Sequence, residues 1–60
     1  MQKTYNVNGH KITVKVRRNA AGHAVRVTDN RGNKQSCSFL TLDPDLAHER
    51  AYIKFIKTYC

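Results

Sequence analysis

Acidic residues are scarce in this chain. Four Asp and Glu stand against eleven Lys and Arg, a formal net charge of +7. That imbalance favours a polyanionic partner: nucleic acid, an anionic membrane or an acidic protein. Asp29 opens a turn, Asp43 and Asp45 sit at the start of a helix and Glu49 in its second turn, so no paired general acid and base is expected. Cysteine is sparse too, with only Cys37 and Cys60. Two cysteines do not staple a scaffold, and they point to a reduced, cytoplasmic protein, with a Cys37–Cys60 bridge as the open alternative. Long apolar runs are missing. The opening MQKTYNVNG alternates instead, which argues against a secretory signal and a membrane span.

Other absences narrow the chemistry. There is no glycine-rich phosphate loop, internal repeat, low-complexity tract or linker. His10, His23 and His48 are scattered, and no Cys or His pair has zinc-finger spacing. Cys37 reads as a small core residue rather than a nucleophile, and Cys60 is the last residue. The expectation is a single domain over residues 1–60, with no enzymatic activity, metal or cofactor. Sixty residues bury only about 60% of the surface the unfolded chain exposes. The core is therefore thin, and a homodimer formed through an edge strand or the helix is one way to reinforce it.

What is present is alternation, then a helix. Asn8-Gly9 between alternating segments is a two-residue hairpin turn, because both positions accept positive φ. The resulting register pairs Val7 with His10 and Tyr5 with Ile12, on one face with Val14 and Val16. The next strand spans His23 to Thr28. The connection Asn19-Ala20-Ala21-Gly22 sets Val16 opposite Val25 and Val14 opposite Val27. Asp29 to Asn33 forms a third turn, with Gly32 in the left-handed position. Lys34 to Leu40 follows as a strand with Cys37 and Phe39 facing the core.

The remaining segment reads as one helix. Asp43 suits the N-cap, Pro44 the first turn, and Asp45 the positive end of the helix dipole. Leu46, Tyr52, Ile53, Phe55, Ile56 and Tyr59 are expected to form a broad apolar stripe, with Arg50, Lys54 and Lys57 on the other side. The fold class is thus α+β: a three- to four-stranded antiparallel β-meander packed on one face by a single C-terminal α-helix.

Alternation also defines the uncovered face of the sheet. It carries Thr4, Asn6, Lys11, Thr13, Lys15, Arg17, Ala24, Arg26, Thr28, Lys34, Ser36 and Ser38, and none is acidic. Lys15 falls directly opposite Arg26, although like charges in that position destabilise a sheet. A polyanion converts that repulsion into attraction through phosphate contacts and counterion release. Arg17-Arg18 and Arg31, near turns, are placed to flank this face. The ordinary reading of such residues is a solvated polar surface, and the same holds for the Arg50, Lys54, Lys57 row. Tyr5, Tyr52, Phe55 and Tyr59 have core spacing rather than that of stacking platforms for bases.

The stretch Val25-Arg26-Val27-Thr28-Asp29, then Gly32-Asn33-Lys34, then Ser38-Phe39-Leu40-Thr41, followed by an alanine-containing helix, resembles two related patterns. One is the arm-type N-terminal DNA-binding domain of tyrosine recombinases, and the other is the plant ethylene-response-factor type of domain. The resemblance spans residues 12–57 and implies a sheet lying in the major groove, braced by a helix behind it. It further implies base reading by Lys15, Arg17, Arg26, Thr28 and Ser36. No recombinase catalytic domain accompanies it, which implies a free-standing accessory or regulatory factor of a phage or mobile element.

The sequence therefore leads to a small DNA-binding protein that favours duplex DNA, with Lys11, Lys15, Arg17, Arg18, Arg26, Thr28, Lys34 and Ser36 as the candidate contact residues. RNA binding ranks lower, because exposed sheet aromatics are missing. The alternative of a different class is a protein-interaction module, such as a small phage-encoded inhibitor that docks on an acidic host protein by edge-strand addition.

Overall fold

A computed structural model describes residues 2–59 and contains four strands and one helix. The elements run β1 (Gln2–Val7), β2 (His10–Asn19), β3 (Gly22–Asp29), β4 (Lys34–Phe39) and α1 (Pro44–Tyr59). The strands form one antiparallel sheet in the order β1-β2-β3-β4, so β1 and β4 are open edges. The expected α+β meander with a C-terminal helix is the fold observed.

Local chemistry explains each reversal. Asn8 and Gly9 have φ of 50° and 80°, the positive values this hairpin turn requires. Between β2 and β3 the turn is tighter than the sequence indicates. Asn19 pairs with Gly22, leaving only Ala20-Ala21 as the loop. The Asn19 side chain closes it by accepting hydrogen bonds from the Ala21 and Gly22 N–H groups at 3.0 and 2.8 Å. In the third turn, Asp29 Oδ1 accepts from the N–H groups of Arg31 and Asn33, both at 2.9 Å. Its Oδ2 accepts from Asn33 Nδ2, also at 2.9 Å.

The core lies between one sheet face and the helix. Ile12, Val14, Val16, Val25 and Val27 are buried from the sheet side, and Ala47, Ala51 and Phe55 from the helix side. Val14 pairs with Val27 and Val16 with Val25, as the alternation predicts. Tyr5, Val7, Phe39, Tyr52 and Ile56 surround this centre half-buried. Cys37 is a half-buried free thiol on the edge strand, while Cys60, and with it the bridge alternative, lies outside the described residues.

The helix is rotated from its expected setting. Ala47, Ala51 and Phe55, spaced four apart, meet the sheet. Leu46, Ile53 and Tyr59, expected in the core stripe, are exposed. The reason is steric. A helix axis approaches a flat layer of valines most closely along a row of small residues, and Ala47 and Ala51 supply that row. The six-residue stripe read from the sequence wraps too far around the helix to be covered by one sheet.

Two histidines help to seal the structure. His23 Nδ1 donates to the Thr41 carbonyl at 3.0 Å, tying β3 to the segment that leads into α1. His48 is buried, and its Nε2 is hydrogen-bonded to the Tyr5 hydroxyl at 3.1 Å, joining α1 to β1. Burial holds the His48 pKa below the ordinary value; nearby Lys3 adds to this and Asp45 opposes it. Gly22 is required by close packing. A Cβ there would lie 2.2 Å from the Phe39 carbonyl oxygen and 2.9 Å from that of Thr41.

Candidate nucleic-acid interface

The helix covers one sheet face, and the other is open. Strand pairing orders that open face into rows. Gln2, Lys15, Arg26 and Ser36 form one row across all four strands. Thr4, Thr13, Thr28 and Lys34 form the next. Arg17, Ala24 and Ser38 lie on the other side of the first row. Asn6 and Lys11 pair at the end near the first hairpin turn. Lys11, Lys15, Arg17, Arg26, Lys34 and Ser36 are exposed, and Thr28 is half-exposed.

Seven of the eight candidate residues therefore share this surface. Arg18 is the exception. Strand β2 continues through Asn19 without a bulge, so Arg18 has the parity of Val14 and Val16 and pairs with His23 on the helix side. It is exposed at the strand end but does not join the Lys15–Arg26 surface. Gln2 is an addition. It continues the Thr4, Asn6 alternation and pairs with Lys15, and extending that alternation two residues toward the N-terminus would have found it.

The face is concave. A hollow of about 720 Å³ is lined by Lys15, Arg17, Ala24, Arg26, Ser36 and Ser38, among others. A smaller hollow of about 280 Å³ adjoins it and is lined by Lys15, Arg26, Thr28, Lys34 and Ser36. This second hollow places three cations and two hydroxyls around one space, a donor set suited to an anionic oxygen group. Small side chains at Ala24, Ser36 and Ser38 keep the first hollow open.

No described acidic side chain lies within ion-pair distance of these cations. Asp29 belongs to the other sheet face and is committed to its turn. Burial alone would push its carboxyl pKa up. The hydrogen bonds from Asn33 and Arg31, with His10 nearby at 3.8 Å, outweigh burial and hold the pKa below its ordinary value. Asp43 caps α1, accepting from the N–H groups of Asp45 and Leu46 at 3.0 and 3.4 Å. Asp45 and Glu49 are on the exposed side of the helix. Among the described residues, no acid thus compensates the positive charge of the open face.

The face carries no aromatic ring. Tyr5 and Phe39 point to the helix side, where Tyr5 packs against Tyr52 with ring centroids 4.6 Å apart. Among the described residues no three His, Cys, Asp or Glu side chains gather to hold a metal ion. No helix among them is long and apolar enough to cross a membrane. Comparisons with protein-family models, curated proteins and solved structures find no match for this chain.

Proposed function

We propose that this domain is a non-enzymatic binder of duplex DNA that uses the open face of its sheet, acting as an accessory or regulatory factor in the cytoplasm. The observation that carries the reading is segregation of charge. Lys11, Lys15, Arg17, Arg26 and Lys34 share one sheet face, and every described acid lies elsewhere. Holding Lys15 and Arg26 as direct cross-strand neighbours costs folding stability. A bound polyanion recovers that cost.

Dimensions and chemistry favour a duplex over a single strand. Four strands span about 14 Å between outer strand axes, at about 4.8 Å per step. The major groove is about 12 Å wide and admits a two-stranded ribbon. The central β2–β3 ribbon, with Lys15, Arg17 and Arg26, faces the base edges. Lys34 and Ser36 on β4, and Lys11 near the turn, meet the phosphates along the rim. A single strand would need rings on which to stack its bases, and this face has none.

Arg17 and Arg18 provide the test. They are adjacent in sequence and equal in charge, but they belong to opposite sheet faces. Fluorescence anisotropy with a labelled random duplex should show Arg17→Ala weakening binding about tenfold or more, the scale of one lost charge-assisted contact. Arg18→Ala should change it by less than about threefold. Equal losses would mean that bulk charge, not this face, binds DNA. No binding by the wild-type chain would overturn the reading.

A further inference from the structure

All three leucines of this chain are exposed. Leu40 and Leu42, in the connection between β4 and α1, are 85% and 73% exposed, and Leu46 is 36% exposed. Ile53, one of three isoleucines, is 43% exposed. In so small a chain, where hydrophobic burial is the main source of stability, this is a large fraction of the aliphatic side chains to leave in water. Two of them share one side of the helix. Leu46 and Ile53 are seven residues apart and so lie on one ridge of α1, away from the sheet. Arg50 and Lys57 occupy the same ridge, and Lys54 borders it. Arg50, Ile53, Lys54, Lys57 and Thr58 line a groove of about 350 Å³ along this side.

The charges along α1 and its N-cap have a direction. Asp43, Asp45 and Glu49 lie in its N-terminal half, beside Leu42 and Leu46. Arg50, Lys54 and Lys57 lie in its C-terminal half, around Ile53. An anionic lipid surface or a nucleic acid reaching the leucines would meet those three carboxylates. A second copy of the same helix, running antiparallel, would meet the opposite charge at both ends. Its twofold axis passes between Arg50 and Ile53. Leu46 of one copy then approaches the Lys57 stem of the other, and each Ile53 lies beside the Arg50 stem of the other copy. Lys and Arg stems pack well on apolar surface while their charged ends reach outward.

We propose that two copies of this chain pair through the outer ridge of α1, antiparallel, with Ile53 near the twofold axis, Leu46 toward each end of the seam, and the acidic half of each helix beside the basic half of the other. This is an isologous interface, in which one patch complements itself about a twofold axis. It leaves both open sheet faces uncovered on the outer sides of the dimer. The inference does not rest on DNA binding. If both hold, one dimer presents two basic faces in opposite directions and bridges two duplex segments.

Sedimentation equilibrium tests the pairing, over concentrations from about 10 µM to about 1 mM, where a small interface of this kind associates. The wild type should approach twice the 6.9 kDa chain mass at the upper end. Leu46→Asp combined with Ile53→Asp should remain at 6.9 kDa throughout. Both sites are exposed, so circular dichroism of this variant should match the wild type. Glu49→Lys should shift the midpoint concentration up at least fivefold. Adding Lys54→Glu to it should restore association, because residue 49 of each copy lies beside residue 54 of the other and the exchanged pair is again complementary. A wild type that remains monomeric at about 1 mM overturns the proposal. So does a dimer that is unaffected by Leu46→Asp with Ile53→Asp. Arg17→Ala, on the opposite side of the molecule, should leave the mass unchanged, so failure of pairing and failure of DNA binding are read separately.

Discussion

Lys15 and Arg26 are register partners on the two central strands, and both project from the open sheet face. Their row continues to Gln2 on one side and Ser36 on the other, neither of which can neutralise them. Two cations held in this way trade folding stability for attraction to an anion. That trade can be measured.

Lys15→Thr should raise unfolding stability by about 0.2–1 kcal/mol, the scale of a relieved like-charge cross-strand pair together with a gain in strand propensity. The same variant should bind duplex DNA more weakly. Urea titration and anisotropy on the same sample would show the opposite signs. Loss of stability together with loss of binding would mean that Lys15 has a structural partner.

The salt dependence of binding follows from how many cations reach phosphate. Three to five contacts drawn from Lys11, Lys15, Arg17, Arg26 and Lys34 give a slope of log K against log salt of about −2.7 to −4.5. Lys34→Ala, at the rim, should make that slope shallower by about 0.9 and affect all duplex sequences alike. A slope near zero would exclude an electrostatic mode.

Acid should destabilise the fold in two separate steps. His48 has a lowered pKa when folded, so between that value and the ordinary 6.5 the unfolded chain binds the extra proton. Stability is therefore complete above about pH 6.5 and falls as pH drops through that range. Asp29, held below 3.8, adds a second loss only as pH falls below that value. Thermal melts from pH 8 to 3 check both steps. His48→Gln should remove the upper step and leave the lower. An unchanged upper step would mean that His48 does not carry it.

Gly22→Ala should be far more damaging than Gly9→Ala or Gly32→Ala. A Cβ at Gly22 meets the carbonyl oxygens of Phe39, the last residue of β4, and of Thr41 in the connection to α1, whereas at Gly9 and Gly32 it meets nothing within 4 Å. The two turn variants incur only the left-handed backbone penalty, about 1–2 kcal/mol. At Gly22 the clash is with backbone, which relieves it only by moving the whole connection. Chemical denaturation should therefore show Gly22→Ala as the least stable of the three, at a cost of about 3 kcal/mol or more. Equal effects would mean that the connection shifts freely.

Most of the sheet was legible in the chain itself. Asn8-Gly9 sets one register by turn chemistry, and the valines at 14, 16, 25 and 27 set the next by alternation. Both are short-range constraints with a period of two, and a slip of one residue would turn every side chain to the wrong face. The composition of the open face follows from the same parity; Arg18, expected beside Arg17 as a contact, obeys that parity too and so belongs to the helix side. The rotation of α1 was decided only in three dimensions. Counting apolar residues pointed to Leu46 and Ile53, but close approach to a flat valine layer selects the small side chains of Ala47 and Ala51, with Phe55 filling the far end. The Tyr5–His48 bond, across 43 residues, depends on that rotation too. Strand parity is written residue by residue along the chain, whereas the seat of a helix on a sheet is the sum of many weak contacts that exist only once both surfaces have formed.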